Sequence, residues 1–422
     1  MGRTRARLAD VLAALTLAMD LGLGLPVEWV LRCTLTGMRL VDAMGLDDEV
    51  GHDVFYLSLL RHIGCTSMSS EFAHFFGSDQ VGPEVVLSDP KSMSDNISLI
   101  TSMGVGEPFL RRLGAMARMM RAPSIEVVDT IQCDAACRLA AGIGIEQRLI
   151  ACLRQSRERW DGRGSPVGLK GDEIDVAVRI SHVAQDMVIA DDVLGTDRGR
   201  AEVRNRAGRL LDPDIVVFID DVELPPRDEP AWDEVLGVEP KPALEVDITE
   251  QVLGAFAEFT DLKSTYLLGH SGRVSALAAD GGEQMGLAPS EVDELRLAGL
   301  VHDLGRVAVS TAIWEKPGRL TALEIEQVRL HPYYTERILH RSRALADLAD
   351  TACSHHERVD GGGYHRGVNG PALSMKARIL AAADVYCSLG EPRAHRPALN
   401  TEEAAALMTA QVEDGHLDGY AT

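Results

Sequence analysis

Aromatic side chains are scarce: only 5% of the 422 residues are Phe, Trp or Tyr. The Ala- and Leu-rich stretches also lack the Val/Thr alternation of half-buried strands, so the chain reads as helical. Positive charge is short as well, with 42 Lys and Arg against 64 Asp and Glu, for a net charge of −22. Nothing overall would neutralise a phosphate backbone or an anionic bilayer, which argues against non-specific nucleic-acid or membrane binding. A small anionic substrate is still compatible, because a bound metal inverts the field locally. No stretch holds 18 uncharged apolar residues, so no membrane span is expected. The apolar run at 1–26 is interrupted by Asp10 and Asp20 and lacks a small-residue cleavage pattern. It reads as an amphipathic helix rather than a leader. CxxC pairs are missing too. The seven cysteines, an odd and scattered set, read as free buried thiols of a cytoplasmic protein.

What is present is a repeat. A chain of 422 residues exceeds one ordinary core, so two domains are the default. "ERWDGRGSPVGLKG" at 158–171 aligns with "ERVDGGGYHRGVNG" at 357–370, sharing Glu158/Glu357, Arg159/Arg358, Asp161/Asp360 and four glycines. Arg179-Ile180 and Arg378-Ile379 keep the same offset, and "LLRHIGC" at 59–65 resembles "LVHDLGR" at 300–306. The organisation expected is a helical copy at 1–210, an acidic Pro-rich linker at 211–247, a second copy at 248–415 and a tail at 416–422. Val216, Val217, Phe218 and Trp232 could dock the linker on a core.

The copies differ in residue type. The second places His270, His302-Asp303, His331, His355-His356 and Asp384 in order. Approximate counterparts in the first are Arg32 or Cys33, Arg61-His62, Gln132 or Cys133, Ser156-Arg157, and Gln185 or Asp186. Turns and apolar positions are kept while ligand-type residues are lost, so those residues serve chemistry rather than folding. Ser290 is an expected N-cap, and Val292, Leu295, Gly299 and His302 fall on one helical face. Thr321 and Glu324 form a capping box. Ile325, Val328 and His331 then share a face, with Pro332 expected to kink the helix there. On the helix around 376–389, Asp384 lies on the apolar side, which is costly unless it is paired or bound to metal. Five His and two Asp exceed one tetrahedral ion but suit two divalent ions sharing a carboxylate. Fe, Mn, Zn and Ni all accept imidazole and carboxylate.

The order H…HD…H…HH…D, with "HDLG", "KPGRLT", "HHERVDGGGY" and "RILAAADVY", resembles the HD-GYP domains of HD-superfamily metal-dependent phosphohydrolases. The resemblance is close over about 260–410 and degenerate over 30–190. It implies an all-α fold of tandem HD-type helical domains, the N-terminal one degenerate, and a binuclear centre of Fe or Mn. It also implies hydrolysis of cyclic di-GMP by metal-activated water. Carried over, His270, His302, Asp303 and Asp384 hold one metal, and Asp303 bridges to a second held by His331, His355 and His356. The Lys that follows "HDLG" in the family is Arg306 here, placed with Asp303 as catalytic and as a phosphate contact. The GYP signature reads Gly363-Tyr364-His365, placed against substrate. Tyr266 stands where trinuclear members have Glu, favouring two ions. The alternative that these departures suggest is a weakly active or inactive sensor that binds its ligand and signals to a partner or transcription module. Some relatives sharing "DLKS", "GYHRG" and "EPRAHRPAL" are joined to a LuxR-type helix-turn-helix. None is read in this chain, so its partner is expected to be a small phosphate ester or cyclic dinucleotide, with a homodimer or regulatory partner compatible and no direct nucleic-acid binding.

Overall fold

The computed structural model describes residues 5–89 and 122–422. Among these the regular structure is helical apart from one short two-stranded sheet and two isolated bridges, as expected. Two compact units result, one Arg7–Leu244 and the other Glu245–Thr422 with Arg5 and Ala6.

Each unit repeats one element order. In the first, Leu8–Leu23, Trp29–Met44 and Asp48–Leu60 lead to a 3-10 turn, Cys65–Met68, and later to Ile125–Ile143, Gln147–Arg154, Val176–Leu194 and Thr196–Arg206. In the second, Glu250–Asp261, His270–Gln284 and Pro289–Val301 lead to Leu304–Ala308, then to His331–Arg341, Ala346–Ala352, Met375–Gly390 and Thr401–Glu413.

The same contacts recur. Asp20 accepts the amide of Val30, as Asp261 accepts that of Ser271. A Cβ on Gly64 would stand 2.0 Å from the Gln132 carbonyl oxygen, and one on Gly305 would stand 2.1 Å from that of His331. Both glycines therefore let a turn touch a helix backbone. Glu158 accepts the amides of 167–169, and Glu357 those of 366–368. Arg179 pairs with Asp212 and Arg378 with Asp418. These matches set Trp29 opposite His270, each the first residue of its helix after a left-handed backbone residue. That corrects the expected counterpart, Arg32 or Cys33. They also set Arg61-His62 opposite His302-Asp303, Gln132 opposite His331, Ser156-Arg157 opposite His355-His356, and Gln185 opposite Asp384. The first copy is longer between Gly64 and Gln132 than the second between Gly305 and His331, so no single offset aligns both halves.

Several expectations change. The first helix is buried from Leu8 through Asp20 and is a core helix rather than an amphipathic one. Residues 211–247 are no free linker: the segment through Leu244 belongs to the N-terminal unit. There Ile219, Val222, Trp232 and Val235 are buried, and Glu239 accepts hydrogen bonds from Tyr56 and Arg7. Val216 docks as expected, whereas Val217 is 69% exposed. The expected tail is folded too. Leu417 is buried with Ala381 and Met408, and Asp418 takes the Arg378 ion pair. Pro332 does not kink a continuous helix; the capping-box helix ends at Arg329, and a new one starts at His331 with Pro332 in its first turn, where a missing N–H costs nothing. Ser290 lies inside a helix whose N-cap is Ala288.

Candidate metal centre

Packing around one helix layer positions the centre. Val274 and Ala278 of His270–Gln284, Leu295 of Pro289–Val301, and Ile379, Leu380 and Ala383 of Met375–Gly390 form a single apolar cluster. Gly299 lets two of these helices meet closely, since a Cβ there would lie 2.6 Å from Ser275 Cα. That contact seats His302 at the end of its helix beside His270 at the start of another. His331 opens the next helix at the turn that Gly305 permits, and His355-His356 follow Ala346–Ala352. His270, His302, Asp303, His331, His355 and Asp384 are each at most 2% exposed; His356 is partly exposed.

Four of the imidazoles are oriented from behind. Nδ1 of His302, His331 and His355 lies 2.7, 2.6 and 2.7 Å from the carbonyl oxygens of Gly299, Val328 and Ala352. A carbonyl only accepts, so each Nδ1 carries a proton, and in the neutral ring Nε2 keeps its lone pair. His270 Nδ1 lies 2.9 Å from a Glu391 carboxylate oxygen, the same arrangement with a charged acceptor. The Nε2 atoms then converge on Asp303. Its Oδ1 is 3.3 Å from His331 Nε2 and 3.4 Å from His355 Nε2. Its Oδ2 is 3.2 Å from His302 Nε2 and 3.6 Å from His270 Nε2. Asp384 Oδ1 closes the second side, 3.2 Å from His270 Nε2.

This donor set fits a pair of cations. His302 Nε2 and both Asp303 oxygens are buried with no hydrogen-bond partner. The Nε2 atoms of His331 and His355 face each other at 3.1 Å, and two such lone pairs repel unless a positive centre lies beside them. Ligands about 2.1 Å from one ion stand roughly 3.0–3.4 Å from their neighbours, close to the spacings seen. Burial lowers His331 to about 4 and holds His356 well below the ordinary imidazole range, so both are neutral. Burial acts to raise Asp303, yet Arg306 and His302 hold it well below the usual carboxylate range. Asp303 is thus charged and His331 and His356 are unprotonated, as metal ligation requires. Against the effect of burial, the bare carboxylates Asp303 and Asp384 push His302 up to about 10, and Asp384 and Glu391 raise His270. At these two rings a proton holds the place that a cation would take.

Residues 255–420 match the model of the HD domain family. Along 95% of its length the chain is 29% identical to 3'3'-cGAMP-specific phosphodiesterase 3 of Vibrio cholerae, covering 90% of that protein. The crystal structure of a cyclic GMP-AMP specific phosphodiesterase from V. cholerae, V-cGAP3, superposes with a TM-score of 0.64 at 25% identity, over 99% of this chain and 96% of that one. Cyclic di-GMP phosphodiesterase PA4108 of Pseudomonas aeruginosa is 39% identical over 36% of each chain. Residues 255–420 thus form an HD domain.

Around the HD centre, the other expected site residues divide. Arg306 is buried with Nε 2.9 Å from Asp303 Oδ2. The alignment is that of a charge contact rather than a hydrogen bond, since Nε has no aligned acceptor. Its guanidinium lies over Trp314 at 4.8 Å. Tyr364 stacks on His356 at 4.9 Å between ring centroids and 30° between planes. His365 turns elsewhere, with Nε2 2.5 Å from Glu336 Oε2. Gly363 is needed because a Cβ there would lie 2.5 Å from Glu357 Cα, and Gly164 makes the same approach to Glu158. The glycine thus serves closeness to its own chain. Glu357 serves the loop as well, binding the amides of 366–368. Sequence reading missed Glu391, which also binds Arg273 and Arg393. The only signal was its lying seven residues past Asp384 in "DVYCSLGE".

Among the described residues no helix is long and apolar enough to cross a membrane. All seven cysteines are free, six of them buried.

Proposed function

We propose that the protein is a metal-dependent phosphodiesterase that hydrolyses a cyclic dinucleotide, with 3'3'-cGAMP and cyclic di-GMP as the leading substrates. The observation that carries it is the convergence of four back-oriented imidazoles on the two oxygens of Asp303. The substrate class rests on the names of the relatives. His270, His302 and Asp384 would hold one divalent ion, and His331, His355 and His356 a second, with Asp303 between them. Fe or Mn suits the set, and Zn or Ni is compatible with it. Bound there, the ions would polarise the phosphoryl group and supply an activated water.

The chain's own residues do the rest. Glu391 and the carbonyls of Gly299, Val328 and Ala352 fix the imidazole rings. Asp303 stays ionised because Arg306 lies beside it. Arg306 also brings a permanent positive charge to the centre's edge, where charge on a phosphoryl oxygen develops. A guanidinium is a poor proton donor, so protonation of the leaving oxygen falls to another group or to water. The ring of Tyr364 over His356 offers an aromatic face beside the ligands, suited to a nucleobase.

The test is metal analysis of the purified protein, coupled to hydrolysis of 3'3'-cGAMP, of cyclic di-GMP and of a generic phosphodiester. Close to two ions per chain and turnover of a cyclic dinucleotide are expected. A metal-loaded protein that cleaves none of the three would overturn the reading.

A further inference from the structure

The N-terminal unit keeps a cavity where the HD domain gathers its His and Asp residues. Its volume is about 140 Å³, and Arg61, Ser156, Arg157 and Gln185 are on its wall. By the repeated contacts these four stand opposite His302, His355, His356 and Asp384. The position is retained while the chemistry of its lining has changed from ligand to cation.

The carboxylates of this wall are already engaged. Asp186 pairs with Arg206 and Asp89 with Arg159, each at 2.8 Å. Glu158 accepts the loop amides of 167–169, and Asp129 also has a partner. Arg61 is different. Its Nη2 reaches the Ser156 carbonyl oxygen at 3.3 Å, while Nε and Nη1 are buried with no partner. Arg157 beside it bonds only the neutral groups Gln132 Oε1 and Cys65 Sγ. Burying a guanidinium with unanswered N–H groups is costly. A second guanidinium nearby adds repulsion. Burial and Arg157 lower Arg61 to about 10. His182, also on the wall, is held well below the ordinary range by burial and by Arg61. Burial is the larger cause in both, and the neighbouring guanidinium adds to it. Against the effect of burial, Arg157 is raised instead, by Cys65 and Asp129 beside it.

We propose that this cavity binds one phosphate group, with Arg61 and Arg157 supplying in fixed side chains the positive charge that divalent ions would supply in the HD domain. A cavity of about 150 Å³ accommodates a molecule the size of benzene. There is thus room for a phosphate, and the pocket is open enough on one side for the rest of a larger ligand to lie outside. The ligand is inorganic phosphate or the terminal phosphate of a linear nucleotide whose remainder stays outside. Guanidinium N–H groups are strong donors to phosphate oxygens. The site does not depend on hydrolysis at the HD domain, and its test is read by binding.

The experiment uses the full-length protein, stripped of metal by chelation and dialysed, titrated calorimetrically with inorganic phosphate. One saturable site is expected, weakened at least tenfold by Arg61→Gln and by Arg157→Gln and unchanged by Asp303→Asn. Arg61→Gln removes a part-buried charge whose Nε and Nη1 have no partner, so in phosphate-free buffer it should melt no lower than the parent. Should it fail to fold, Arg157→Gln carries the comparison. A 5'-phosphorylated linear dinucleotide that displaces phosphate supports the site with the ester as its source. Phosphate binding without displacement supports it with the free ion as its source. Failure of the intact protein to bind phosphate saturably, or binding lost in Asp303→Asn and kept in both arginine variants, would overturn the proposal.

Discussion

Asp303 presents one oxygen to His331 and His355 and the other to His302 and His270. No other residue of the centre faces both sides. Asp303→Asn keeps the shape and removes the charge, leaving two dications less screened from each other. It is expected to lose at least one metal per chain and essentially all hydrolysis while keeping its helical circular-dichroism spectrum. Full metal content and activity in this variant would contradict the bridging role. Glu391 makes a milder case. Against the effect of burial, His270 and Arg273 hold its carboxyl at about 2, so it is a charged acceptor behind His270. Outer partners of this kind typically govern metal affinity by about 10–100-fold. Glu391→Gln is expected to weaken metal binding within that range, measured by chelator competition, without unfolding the protein.

At the level of elements, one loop is built twice and works structurally both times. Glu158 and Glu357 each gather three consecutive amides, and both are at most 3% exposed. Hydrogen bonds to a charged acceptor are worth about 1.5–3 kcal/mol each when a partner is removed. Glu357→Ala and Glu158→Ala should therefore destabilise their own units by several kcal/mol, read from urea midpoints. Only Glu357→Ala should also disturb metal content, because His355 and His356 directly precede it. The turn at Gly305 is a second such element. A methyl group there would collide with the His331 carbonyl oxygen, forcing the helix that begins at His331 away from Asp303. Gly305→Ala is expected to lose the metal held through His331, whereas Gly64→Ala should destabilise the protein and leave metal content intact.

For the whole molecule, the division of chemistry between two like units is the main consequence. Metal binding is linked to folding where the ligands lie. Removing metal should therefore loosen Glu245–Thr422 and spare Arg7–Leu244. Hydrogen exchange with and without chelator checks this. Protection is expected to fall in the peptides covering 270–284, 331–341 and 375–390 and to hold in those covering 29–44 and 176–194. Equal loss in both units would show that metal supports the whole chain rather than the HD domain.

Local sequence was enough to mark the repeat, the all-helical class and the seven metal-type residues. Caps, turn glycines and helix periodicity are short-range features, and the contrast between copies shows which residues the fold itself does not need. The Thr321–Glu324 capping box and the helix around Asp384 could be read for the same reason. Contacts between residues far apart in the chain were beyond that reach. The sequence could mark 211–247 as acidic and Pro-rich, but not that Glu239 would meet Tyr56 and Arg7, since burial by a distant surface leaves no local pattern. Glu391 was overlooked because a carboxylate's partner is set by packing, and His365 was misplaced because Glu336, on another helix, holds it. Likewise the arginines in the first copy read only as missing ligands. Their place as part-buried cations around one pocket came from the tertiary structure, because charge and burial are properties of the assembled neighbourhood rather than of any one residue.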